Sequence, residues 1–265
     1  MDFNGVMLSV AILGGVGVFV GIFLGIATKV FKVDVDKRLE EVVNALPGNN
    51  CGGCGYPGCE GLANAIVKGE APVNQCPVGG AKVAKVIAGI MGEEVTESVK
   101  KVAFVACKAT CDEASKDYNY YGIDDCRMLS FVPNGGPKSC NNGCLGFGSC
   151  VKACEFDAIH VVDGVAVVDR EKCKACGKCV AACPKNLISL VPYTAKYQVA
   201  CSNREKGPVT MAQCKVGCIG CSLCVRNCEA KAVTVKDFNA TIDPELCVNC
   251  GTCFEKCPKK SIVKL

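Results

Sequence analysis

No dinucleotide-binding fingerprint in this sequence follows a predicted strand and opens a helix, so the chain offers no nicotinamide or flavin site of its own. No charge falls between Val6 and Thr28, the long apolar run, so that run offers no path for an ion. Histidine occurs once, at His160 beside a hairpin valine, and reads as a structural or surface residue rather than a ligand. No basic residue stands before the apolar run, as one would in a secretory leader, so the run is expected to be retained.

Cysteine is what the sequence has instead, 25 in 265 residues. That length holds one large domain or two to three small ones, and small cysteine-rich modules need disulfides or metals because their cores are thin. At about 1.5 Å per residue, Val6 to Thr28 covers the roughly 30 Å hydrocarbon core of a bilayer. A transmembrane anchor is therefore expected, the alternative being a retained signal peptide or a buried soluble helix. Lys29, Lys32, Lys37 and Arg38 follow the run and only Asp2 precedes it, which places the large C-terminal part on the cytoplasmic side of the cell membrane. In that reducing compartment the thiols are expected to bind metal rather than pair with one another. Gly17, Gly21 and Gly25 form a small-residue face on which another membrane helix could pack.

After the anchor, Leu39, Val42, Val43 and Leu46 recur at helical spacing until Pro47-Gly48 ends the pattern. The next segment carries Cys51, Cys54, Cys59 and a distant Cys76 on a glycine-rich loop. Tight glycine turns can aim several sulfurs at one point and leave backbone N–H groups free to bond them, as a four-iron cluster requires. Four thiolates could equally hold zinc. Cys59 opens a predicted helix, "CEGLANAIVKG", whose N-terminus favours an anionic neighbour. Residues 81–91 read as a further helix, 92–101 as a solvated connector, and "VAFVAC" as a strand.

The rest of the chain is a repeat. Shifted by 74 residues, Cys140, Cys144, Cys150 and Cys154 fall on Cys214, Cys218, Cys224 and Cys228, and Cys173, Cys176, Cys179 and Cys183 fall on Cys247, Cys250, Cys253 and Cys257. Between the cysteine runs, "AIHVVDGVAVVDREKC" and "AVTVKDFNATIDPELC" each predict a hairpin, turning at Asp163-Gly164 and at Lys236-Asp237. The copies differ at one ligand position, where Phe147 stands opposite Cys221.

The runs "CKACGKCVAACP", "CIGCSLCVRNCE" and "CVNCGTCFEKCP" resemble those of bacterial two-cluster ferredoxins, in which the fourth cysteine of each run serves the other cluster. The resemblance implies that Cys218, Cys221, Cys224 and Cys257 hold one cluster, and Cys247, Cys250, Cys253 and Cys228 another. In the first copy it implies a set of Cys173, Cys176, Cys179 and Cys154. A second set there has Cys144, Cys150 and Cys183 and lacks a thiolate at Phe147, for which Cys140 is the expected substitute. Glu155 and Glu229 stand where proline usually follows the fourth cysteine, so an altered potential or docking surface is expected rather than loss of a cluster. Cys107, Cys111, Cys126, Cys201 and Cys214 remain. "VAC" at both Cys107 and Cys201 suggests that each repeat begins earlier and that the first gained an insertion. Cys107, Cys111 and Cys126 with Cys201 or Cys214 could hold a sixth cluster, the alternative being free buried thiols.

The order of anchor, "NCGGCGYPGC…CPVGG", "YYGIDDC", "GGPKSCNNGCLGFGSCVKAC" and tandem ferredoxin runs resembles the B-subunit family of the Rnf complex over essentially the whole chain. The implied fold is α+β: a transmembrane helix (1–28), a helical four-cysteine 4Fe-4S domain (29–92), a linker with a cysteine-bearing insertion (93–135), and two ferredoxin-like domains (136–192 and 193–265). The implied cofactors are five 4Fe-4S clusters, or six. The implied role is to take electrons from reduced soluble ferredoxin and pass them to membrane and peripheral subunits that reduce NAD and move sodium ions or protons. No nucleic-acid partner is expected. A polyferredoxin donor to nitrogenase or to a redox-sensor reductase is the nearest alternative, and an iron–sulfur or zinc sensory module a further one. Lys152, Lys172, Lys174, Lys178, Lys185, Arg226, Lys256, Lys259 and Lys260 crowd the ligand runs and could steer an acidic ferredoxin, or merely solvate a small domain around anionic clusters. Tyr118, Tyr120 and Tyr121 in the insertion read as packing residues.

Overall fold

The computed structural model describes residues 3–30, 36–95 and 99–265. Helix α1 (Phe3–Val30) contains the uncharged run, and its apolar side chains from Ile12 to Ile26 are exposed. Among the described residues no helix meets the length and hydropathy of a membrane span. Asp2, Lys32 and the middle of the expected connector, residues 96–98, lie outside the described residues.

Three helices follow, α2 (Lys37–Ala45), α3 (Gly58–Val67) and α4 (Gly80–Met91). Asp36 starts α2 by accepting the Arg38 N–H at 2.9 Å, a side-chain cap for an orphan donor. The predicted stripe is the buried one: Val42 and Leu46 join Leu62, Ala63, Ile66 and Ile87 in one small core. Gly92 takes a left-handed conformation and stops α4.

The tandem modules are built alike. In the first, β1 (Lys101–Val105) pairs antiparallel with β4 (Ile188–Pro192), and β2 (Ile159–Val162) with β3 (Val165–Val168), while α5 (Ser149–Lys152) and α6 (Lys178–Ala182) carry the cysteines. In the second, β5 (Tyr197–Val199) pairs with β8 (Ile262–Lys264) and β6 (Val233–Lys236) with β7 (Asn239–Ile242), beside α8 (Leu223–Arg226) and α9 (Thr252–Glu255). A further helix, α7 (Gly207–Gln213), precedes α8. Strand β1 falls in the segment expected to be linker, yet it pairs with β4, so the pairing of the first module already starts at Lys101, ahead of the duplicated "VAC". The second hairpin turns at Asp237-Phe238 rather than Lys236-Asp237, since Lys236 is still paired with Asn239.

Candidate iron–sulfur centres

Twenty-three of the 25 cysteines are brought together in six sets, five of four and one of three, and one set crosses the repeats. In the helical domain, Cys54 and Cys59 lie near Cys76, whose thiol is pushed up chiefly by burial. The Gly79 N–H donates to Cys76 Sγ at 3.3 Å, and Asn50 Oδ1 accepts the Cys59 N–H at 2.8 Å, fixing the start of α3. Cys51 stands at the edge of the domain, in electrostatic reach of Cys176 and Lys178. The two domains meet closely there: a Cβ on Gly53 would lie 2.6 Å from the Cys176 carbonyl oxygen, so only glycine fits.

In the first module Cys179 lies among Cys173, Cys176 and Cys154, its thiol raised to about 11 chiefly by burial. The second set differs from expectation. Cys144, Cys150 and Cys183 line one cavity with Cys126, not Cys140. Burial pushes Cys150 up to about 12, and the neighbouring thiols Cys144, Cys126 and Cys183 add to it. Cys126 comes from the insertion, and its approach is secured by polar bonds: Ser149 Oγ accepts the Cys126 N–H at 2.8 Å and donates to Asp125 at 2.7 Å, and Lys152 donates to the Asp124 carbonyl at 2.7 Å. The Ser149 bond also holds the Asp125 carboxyl below its ordinary range. Phe147, where a thiolate was missing, packs edge-on against Tyr120 at 5.4 Å in a small core with Cys126, Leu129 and Leu145. The residue that displaced the ligand thus anchors the loop that brings its substitute.

Cys140 points elsewhere. It lines a second cavity with Cys107, Cys201 and Cys214, two thiols from each repeat. Cys140 corresponds to Cys214 under the 74-residue shift, and Cys107 to Cys201 through "VAC" at an offset of 94, longer because of the insertion in the first copy, so the site has a pseudo-twofold ligand pattern. Backbone pairing stitches the repeats around it: the Ser115 N–H donates to the Gln213 carbonyl and the Lys215 N–H to the Glu113 carbonyl, both at 2.9 Å. Burial pushes Cys201 up to about 12 and raises Cys140 and Cys214. Cys126, expected with Cys107 here, is in the other set. Cys111 joins neither and is exposed.

In the second module the cysteines line two cavities. Cys218, Cys221, Cys224 and Cys257 line one cavity, and Cys228, Cys247, Cys250 and Cys253 another. Cys221 and Cys250 face solvent.

Adjacent sets touch. The Cys144 N–H donates to Cys107 Sγ at 3.4 Å, and the repeat-related Cys218 N–H to Cys201 Sγ at 3.3 Å. Within each module one short helix joins two sets, because Cys150 and Cys154 flank the end of α5, and Cys224 and Cys228 that of α8.

The donor set fits four-iron clusters. Thiolates are their usual ligands, and the Cys154, Cys183 and Cys257 thiols each accept a backbone N–H from four residues on, at 3.3–3.4 Å. Among the described residues no three candidate ligands are placed to share a single metal ion. A cubane asks for a wider arrangement, since each thiolate binds its own iron.

His160 faces solvent 3.7 Å from Asp157. Tyr118 donates to the Pro133 carbonyl at 2.8 Å and Tyr121 is exposed. Two of the basic residues expected to form a docking surface are tied to acids of their own module, Lys172 to Asp157 at 2.9 Å and Lys178 to Glu155.

Family models match three stretches: a putative Fe-S cluster domain over residues 46–78, a 4Fe-4S binding domain over 166–189 and a 4Fe-4S dicluster domain over 217–261. The chain is 48% identical over 98% of its length to the B-subunit of the Na(+)-translocating ferredoxin:NAD(+) oxidoreductase complex of Acetobacterium woodii, covering 78% of that protein. It is 45% identical to the B-subunit of the ion-translocating oxidoreductase complex of Methanosarcina acetivorans, covering 96% of each chain. To the B-subunit of the proton-translocating ferredoxin:NAD(+) oxidoreductase complex of Clostridium ljungdahlii it is 38% identical, over 98% of this chain and 92% of that one.

Proposed function

Because the chain belongs to the B-subunit family of the Rnf complexes, the ion-translocating ferredoxin:NAD oxidoreductases, we propose that it carries electrons from reduced soluble ferredoxin to partner subunits that reduce NAD. It is an iron–sulfur electron-transfer subunit of such a complex. The finer reading is six 4Fe-4S clusters: one on Cys51, Cys54, Cys59 and Cys76, four in the two modules with Cys126 completing the Cys144 set, and one between the repeats on Cys107, Cys140, Cys201 and Cys214. Bound there, such clusters supply one-electron carriers.

The observation that carries the reading is continuity. Each thiol set touches the next through a shared helix, an N–H to sulfur bond or the Gly53–Cys176 contact, so no set is isolated. Without the inter-repeat set the two modules would lack that link.

The two ends differ. The helical domain follows the apolar α1, which we read as a membrane anchor on length and exposed apolar surface, with the soluble part on the cytoplasmic side. The second module presents Cys221 and Cys250 to solvent beside exposed Arg226 and Lys256, neither of them in an ion pair among the described residues. Ferredoxin is therefore proposed to dock on the second module, and the membrane partners to receive electrons from the helical domain. Sodium ion or proton movement belongs to those partners.

The test is ferredoxin-driven NAD reduction by membranes that contain the partner subunits. Removing this chain should abolish the activity and restoring it should recover it. Unchanged NAD reduction without it would overturn the proposal.

A further inference from the structure

Lys138 is 4% exposed, yet its Nζ has no carboxylate partner among the described residues. Its Nζ donates to the Gly164 carbonyl at 2.9 Å and the Ala109 carbonyl at 3.4 Å. A charge so buried is costly when only neutral dipoles answer it. Lys138 lines the inter-repeat cavity with Cys107, Cys140, Cys201 and Cys214. The 74-residue shift puts Ala212 in the corresponding place, so the second repeat has no such cation, and Glu113 instead lies near Cys214.

We infer that Lys138 is the built-in counter-charge of the inter-repeat iron–sulfur site, raising the reduction potential of the cluster there. This rests on the six-cluster reading above. The physical reason is Coulombic: reduction adds negative charge, and a fixed cation in a low-dielectric setting favours the more negative state. Lys138 acts as a positioning and tuning residue through its fixed charge. The pseudo-symmetric site thus becomes electrically lopsided, an electron-holding point in the middle of the conduit.

The experiment uses the full chain, purified anaerobically, with iron analysis and potentiometric titration followed by electron paramagnetic resonance. Lys138→Met keeps the apolar stem and removes the charge, and Lys138→Arg keeps the charge. The Met variant should retain its iron, while one titration step shifts at least tenfold against reduction, about 59 mV downward for a one-electron couple. The Arg variant should titrate like the parent. Should the Met variant lose iron that the Arg variant keeps, the site's need for the charge is supported too. Full iron with unshifted potentials in the Met variant would overturn the inference and leave the six-cluster reading intact. A parent chain with about 20 iron atoms instead of about 24 would overturn both.

Discussion

Replacing Cys126 with alanine separates ligation by the insertion from ligation by Cys140. Cys126 is 9% exposed and its backbone N–H is held by Ser149 Oγ, a bond the substitution leaves in place. Deleting one sulfur from such a site costs on the order of 1–2 kcal/mol of packing, well below the ~5–15 kcal/mol that keeps a domain folded. Loss of iron would therefore report lost ligation rather than unfolding, which far-ultraviolet circular dichroism would check. Starting from about 24 iron atoms, Cys126→Ala should leave about 20, Cys140→Ala about 20 by emptying a different site, and the double variant about 16. The two single variants should lose different paramagnetic signals. If Cys140 completed the Cys144 set and Cys126 were a free thiol, the Cys126 variant would keep all its iron and the double variant would match the Cys140 variant. That result would refute the assignment.

Other outcomes follow from neighbouring contacts. Adding Phe147→Cys to the Cys126→Ala chain recreates the ligand position of Cys221 and should restore about four iron atoms; no recovery would mean that the first module no longer accepts the regular pattern. Gly53→Ala puts a Cβ against the Cys176 carbonyl and should force the helical domain off the first module, slowing electron transfer between them at unchanged iron content, with unchanged rates contradicting a tight seam. If exposed Arg226 and Lys256 steer ferredoxin, its electron-transfer rate should fall with ionic strength, and a flat rate would remove the steering.

Much of the architecture was legible because cysteine spacing is itself a geometric statement. A run of C-x2-C-x2-C-x3-C fixes which thiols a short loop and helix can bring together, and the groupings of the second module follow its sequence. The helical stripe of Leu39, Val42 and Leu46 likewise announced a buried face. What sequence reasoning missed was the inter-repeat site and the role of Cys126, both of which depend on contacts between residues far apart in the chain. Cys140 is the substitute for Phe147 that nearness in sequence suggests, whereas Cys126 reaches the site by folding back across α5. A signal existed: the repeat that lost the thiolate is the one that gained the insertion, and the insertion contains a cysteine. The upstream thiols Cys140 and Cys214, present in both copies, also marked a function separate from the ferredoxin pattern. Lys138 could not have been picked out from its neighbours in sequence, since its burial appears only once Gly164 and Ala109 close over it.

The central claim is an unbroken conduit of six clusters, and it is tested most directly by iron, acid-labile sulfide and zinc analysis of the full chain purified without oxygen. The account predicts about 24 iron and 24 sulfide per chain with no stoichiometric zinc. About 20 iron would mean that the inter-repeat site is not a cluster, and a colourless zinc-loaded protein would contradict the account altogether.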